Sequence, residues 1–99
     1  NAPTGRPFFV RAGVVNGKAL SLPKPEYPRN ARGSSVVQVA VLVGEDGNVE
    51  RAGAYSGHPS LHESARDAAC KARFQPTTLQ GSPIKVYGSL TYNFVGPRP

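Results

Sequence analysis

Residues 36–43 read Val-Val-Gln-Val-Ala-Val-Leu-Val and constrain the fold more than any other stretch of the chain. Val37, Val39, Val41 and Val43 line one face at a period of two, with Val36, Gln38, Ala40 and Leu42 on the other. Both faces are mostly apolar, which places this strand at the centre of a sheet rather than at its edge. Gly44-Glu45-Asp46-Gly47-Asn48 follows as a turn whose two glycines supply left-handed conformations. Residues 49–56 then return as a second strand, diluted by Gly53 and two alanines.

The next segment carries the period of a helix. Ser60 stands as an N-cap, and Glu63 three residues later completes a capping box. Leu61, Ala65, Ala68, Ala69 and Ala72 then share one helical face. A stripe of alanine lets a helix lie close to a sheet. Phe74 and Pro76 end it, and Cys70 falls on the opposite, outer side. Residues 75–82 read as a loop. In the closing strand, residues 84–94, Ile84, Val86, Leu90, Tyr92 and Phe94 share a face interrupted by Gly88. Lys85, Tyr87, Ser89, Thr91 and Asn93 face away, the alternation of a half-buried strand.

The first third of the chain is punctuated differently. Residues 1–13 are polar and broken by Pro and Gly, a flexible arm in which only Phe8, Phe9 and Val10 offer an anchor. Asn16-Gly17 between apolar flanks over residues 14–20 is the strongest short hairpin signal, because both residues tolerate the positive φ of a type I′ turn. Pro23, Pro25 and Pro28 make residues 22–29 an extended strap, since proline removes a backbone donor and biases its predecessor towards extension. Arg29-Asn30-Ala31-Arg32 forms a short first helix ended by Gly33. Residues 96–99 read as a disordered tail.

These elements imply an α+β fold. A three-stranded antiparallel sheet in spatial order 2-1-3 carries the main helix and the short first helix on one face. A small N-terminal hairpin precedes it. Residues 14–95 form one domain, with 14–21 as the hairpin extension and 22–95 as the core. Both outer strands are edges, and exposed edges invite pairing with another chain.

Composition excludes several classes of function. The longest apolar run, residues 39–43, falls far short of the about 20 residues that span a bilayer. A single cysteine closes no internal disulfide, and with two histidines it leaves metal clusters without ligands. The segment opens without an initiator Met or an apolar leader, as a fragment of a longer protein would. Net charge is +6, yet the basic residues are scattered and no basic-aromatic interleaving suggests base stacking; nucleic acid is not an expected partner. His58 and His62 stand four apart, but His58 precedes Pro59 and lies off the helix. The six acidic residues form no evident pair, and no serine sits in a nucleophile elbow. The residues hold no catalytic constellation and no cofactor motif, so an enzyme is not expected.

Laid in order, the pieces resemble a known family. Pro25-Glu26-Tyr27-Pro28 precedes the short helix, and alternating valine strands surround Asp46-Gly47-x-Val49 and Ser56-Gly57. The small-residue helix leads to Arg73-Phe74-x-Pro76, and Gly81-x-Pro83 opens the strand that ends Tyr92-Asn93-Phe94. Together they are similar to the C-terminal domain of TonB-type energy transducers, across about three-quarters of the chain. Ala72 departs from the pattern where relatives carry an aromatic, and the stretch from Tyr27-Pro28 to the first strand is short.

That resemblance implies a periplasmic domain, its full-length protein anchored in the inner membrane of a Gram-negative bacterium. The partners implied are the TonB box of an outer-membrane transporter and, through the N-terminal region, an inner-membrane proton-channel complex. Box binding in the family is by strand addition to the last strand. Carried onto this chain, the site comprises Ile84, Lys85, Val86, Tyr87, Gly88, Ser89, Leu90, Thr91, Tyr92, Asn93 and Phe94. The strap residues Lys24, Pro25, Glu26 and Tyr27 join them. The alternative is a paralogous envelope assembly module that self-associates, as a homodimer, or binds a partner other than a transporter.

Overall fold

The computed structural model describes residues 9–95 apart from 30 and 32. In chain order the elements are β1 (Phe9–Val14), a 3₁₀ turn (Asn16–Lys18), β2 (Ala19–Ser21), β3 (Ser35–Val43), β4 (Val49–Ala54), a second 3₁₀ turn (Pro59–Leu61), α1 (His62–Cys70), β5 (Arg73–Phe74), β6 (Thr77–Leu79) and β7 (Ser82–Phe94). The main sheet runs β1-β7-β3-β4, with β6 paired to the start of β7; β2 and β5 form a separate two-stranded ribbon.

β3 lies between β7 and β4 and is antiparallel to both. Its register with β7 runs unbroken from Ser35↔Phe94 to Val43↔Val86. The four odd-numbered valines of β3 are buried, as are Leu90, Tyr92 and Phe94 across from them. Each such side chain contributes about 1.5–3 kcal/mol through the apolar area removed from water. The turn into β4 closes through Gly44 N–H to Asn48 C=O at 2.7 Å, and Asp46 accepts from Asn48 N–H at 3.0 Å. Gly47 takes φ +88° there, and a Cβ would meet the Phe74 carbonyl oxygen.

Helix α1 packs across β3 and β4. Leu61, Ala65, Ala68, Ala69 and Ala72 are all buried, so the alanine stripe is the face laid on the sheet. Cys70 is exposed on the outer side. The start of the helix corrects the capping-box reading. His58, not Ser60, is the capping residue: its Nδ1 accepts from Ser60 N–H at 3.3 Å and lies 2.8 Å from Ser60 Oγ. Pro59, pre-set for the first position of a turn, starts the 3₁₀ segment two residues early and moves the cap back with it, and α1 continues from Leu61 without a side-chain cap of its own.

Four further expectations are corrected. The Asn16-Gly17 hairpin does not form, because its flanking strands find separate partners: β1 pairs with β7 and β2 with β5. Gly17 is not among the positive-φ glycines, and Val15 is buried instead of flanking a solvent turn. The arm over residues 1–13 is strand from Phe9 onwards; its first eight residues, like the tail over 96–99, lie outside the described residues. The loop over 75–82 contains β6, which turns into β7 through Gln80 and Gly81 at φ 52° and 84°. Around Arg29, the described residues form one turn, closed by Ala31 N–H to Pro28 C=O at 3.2 Å; residues 30 and 32 of the expected first helix lie outside the described residues. The sheet is accordingly mixed and larger than the three antiparallel strands expected, because β1 adds to it in parallel.

Candidate partner-binding edge

β7 spans thirteen residues and outruns every other strand. One side of it is taken by β3. The opposite side, expected to be an open edge, is occupied by the chain itself. β1 runs parallel to β7 in the register Phe9↔Lys85, Val10↔Val86, Arg11↔Tyr87 and Val14↔Ser89, with a break between Arg11 and Val14. Beyond β1, Val15 N–H donates to Ser89 C=O at 2.9 Å. Asn16 then reaches the next position: its amide nitrogen donates to Thr91 C=O and its carbonyl oxygen accepts from Thr91 N–H, both at 2.8 Å. A carboxamide carries one acceptor beside donors, as a peptide group does, so Asn16 continues the ladder with a side chain. The physical reason for the correction is that an unpaired row of N–H and C=O groups takes up any extended segment within reach.

The expected site residues therefore divide. Ile84 pairs with Thr77 of β6, and Lys85, Val86, Tyr87 and Ser89 pair with β1. Gly88 lies under the crossing: a Cβ there would meet Val15 Cγ1 at 2.9 Å and the Gly13 carbonyl oxygen at 3.0 Å. Leu90 is fully buried and belongs to the core. Thr91, Tyr92, Asn93 and Phe94 come together with Lys24, Pro25 and Tyr27 of the strap around a cleft of about 420 Å³, with Asn16 at its rim. Val95, at its end, is 75% exposed.

The strap is fixed on both sides of this cleft. Tyr27 packs against Phe94 with ring centroids 6.3 Å apart, and its hydroxyl donates to Gly33 C=O at 2.7 Å. Ser64 of α1 donates to the Glu26 carbonyl, which anchors the strap to the helix. Glu26 itself lines a second groove, of about 500 Å³, between strap and α1, and does not join the first.

The sequence reading did not place β1, Val15 and Asn16 on the β7 edge. Phe8, Phe9 and Val10 are the anchor expected for the arm, and the alternation of Val10 with Ala12 and Val14 is the signal that could have extended it into a strand.

Two other polar side chains have partners away from the cleft. His62 Nε2 lies 3.1 Å from Gly57 C=O, and Lys85 pairs with Glu50 at 2.9 Å. Among the described residues no three His, Cys, Asp or Glu side chains are grouped as metal ligands would be. Among the described residues no helix is long and apolar enough to cross a membrane. Among the described residues Tyr92 has a displaced pKa: burial first, and then the neighbouring Cys70, push its phenol up to about 12. Its hydroxyl is buried without a hydrogen-bond partner.

A family model described as the Gram-negative bacterial TonB protein C-terminal matches residues 23–95, from the strap to the end of β7. β1, Asn16 and β2 lie ahead of that match. No curated protein matches the chain. With nearly three-quarters of its length matched, the chain belongs to the TonB C-terminal family, periplasmic protein-interaction domains of non-enzymatic energy transducers in Gram-negative bacteria.

Proposed function

We propose that this domain binds the TonB box of an outer-membrane transporter by strand addition to β7 and conveys proton-motive-force-derived energy for active uptake. The observation that carries the reading is the behaviour of the β7 edge: it takes up a parallel extended strand, and does so beside a cleft shared with the strap. Main-chain hydrogen bonds supply affinity in such an arrangement, and side chains at alternate positions set register. The site comprises the outer side of residues 84–94 together with Lys24, Pro25, Glu26 and Tyr27. The full-length protein is anchored in the inner membrane and reaches a proton-channel complex there. A strand loaded lengthwise shares force among many hydrogen bonds, which lets a modest interface transmit a pull.

The test is an NMR titration of the ¹⁵N-labelled domain with TonB-box peptides from transporters of the same organism. Shifts on Thr91, Asn93, Val95, Lys24 and Tyr27, joined by the β1 amides, are expected. If no box peptide shifts any amide, the partner is not a transporter, and the assembly-module reading takes its place.

A further inference from the structure

We infer that β1 and Asn16 are a built-in competitor for the β7 edge, so that a partner strand binds by exchange and not by simple addition. This rests on the reading that β7 is the partner edge. One row of backbone groups pairs with one strand at a time. The row from Lys85 to Ser89 is held by β1, and Thr91 is held through both of its groups by Asn16.

Four observations make β1 the part that leaves. Two of its apolar side chains are weakly anchored: Val10 and Val14 are 39% and 59% exposed, whereas Val15, just past its end, is buried. Its register breaks between Arg11 and Val14, so the ladder is interrupted. Its tight approach over Gly88 leaves no room for a second chain between β1 and β7. Finally, β1 and Asn16 lie outside the residues that match the family, whereas strap and β7 lie inside, so the edge and its occupant are separable parts of the sequence. A tethered strand competes at a high effective concentration. Apparent affinity for a partner is then the intrinsic affinity reduced by the fraction of molecules in which β1 is open.

The test uses the whole chain carrying Cys70→Ser, with Val10→Cys and Val86→Cys placed opposite each other by the register. Binding of a TonB-box peptide is measured by fluorescence anisotropy, oxidised and reduced, beside a single Asn16→Ala variant. The oxidised form, with β1 tied down, is expected to lose at least tenfold in affinity and to regain it with reductant; Asn16→Ala is expected to bind severalfold more tightly than the native chain. Equal affinity of oxidised and reduced forms would overturn the competitor. Should no form bind any box peptide, the transporter reading fails by itself, and hydrogen exchange decides the inference separately. Faster exchange at Ser89 in Asn16→Ala, beyond the Thr91 amide that loses its acceptor directly, with Val39 and Val41 unchanged, means that β1 opens on its own. Exchange at all four rising together means that β1 is an integral strand, and the inference falls.

Discussion

β4 and β1 flank the same central pair, β3 and β7, and are held in opposite ways. β4 follows β3 through a short turn fixed by Asp46 and Gly47, pairs antiparallel, and is covered by α1. β1 meets β7 across a long span of chain, with Asn16 and Thr91 separated by 75 positions, pairs in parallel, and lends the core Ala12, with Val15 just past its end. Closing a long loop costs more chain entropy than closing a hairpin, and parallel pairing is slightly weaker per residue. If β1 exchanges as proposed, what separates it from the permanent β4 is the cover on its face, since both have a ladder.

The largest effect should come from the centre that both sides share. Leu90 is fully buried on β7, so Leu90→Ala is expected to lower stability by about 2–5 kcal/mol in urea unfolding. Val14→Ala on β1 should cost within about 0.5 kcal/mol, as an exposed position does. Comparable losses from the two would mean that β1 belongs to the cooperative core and would end the contrast. On the β4 side, Ala69 is buried where α1 lies against the sheet, and Ala69→Leu should cost about 1–3 kcal/mol by overpacking. An unchanged urea midpoint would show that the helix does not sit close.

Gly88→Ala sharpens the β1 side. Alanine normally gains about 0.5–1 kcal/mol over glycine within a strand. Here its Cβ would press on Val15 Cγ1 and the Gly13 carbonyl oxygen, so the midpoint should hardly move while β1 loosens. The signature is faster hydrogen exchange at Thr91 with Val39 and Val41 protected as before. Unaltered protection at Thr91 would mean that β1 adjusts without letting go.

The same contrast explains what was legible in the sequence. β3 and the alanine stripe of α1 write their burial into consecutive residues, so their period reveals them. The Gly44–Asn48 turn shows because its closure is local. β1 was hidden because its partner is at the far end of the chain, and because Asn16-Gly17 mimics a hairpin turn; its asparagine is engaged instead with Thr91. β5 and β6 are two and three residues long, and all three residues of β6 are exposed, so no burial pattern marks them. The convergence of Lys24, Pro25 and Tyr27 on Thr91 and Phe94 is a tertiary fact that no period contains; only the family resemblance pointed to it.

Tyr92 offers the smallest effect at neutral pH and tests the covered face without touching the edge. Its hydroxyl is buried without a partner, so Tyr92→Phe should leave stability at pH 7 unchanged or raise it by up to about 1 kcal/mol. The pH dependence is more telling. Below pH 10 the phenol is protonated in folded and unfolded chains alike and contributes no slope. Between pH 10 and about 12 the unfolded chain releases this proton while the folded one retains it, so the native protein loses stability as pH rises. Phenylalanine has no proton to lose, and the variant should decline less steeply across that window when urea midpoints are compared at pH 8, 10.5 and 11.5. Exchange at Thr91 should be the same in both, because Asn16 holds the Thr91 backbone and the Tyr92 hydroxyl makes no hydrogen bond to either. Parallel declines would place the phenol in contact with solvent and loosen the face on which the permanence of the β3–β7 centre depends.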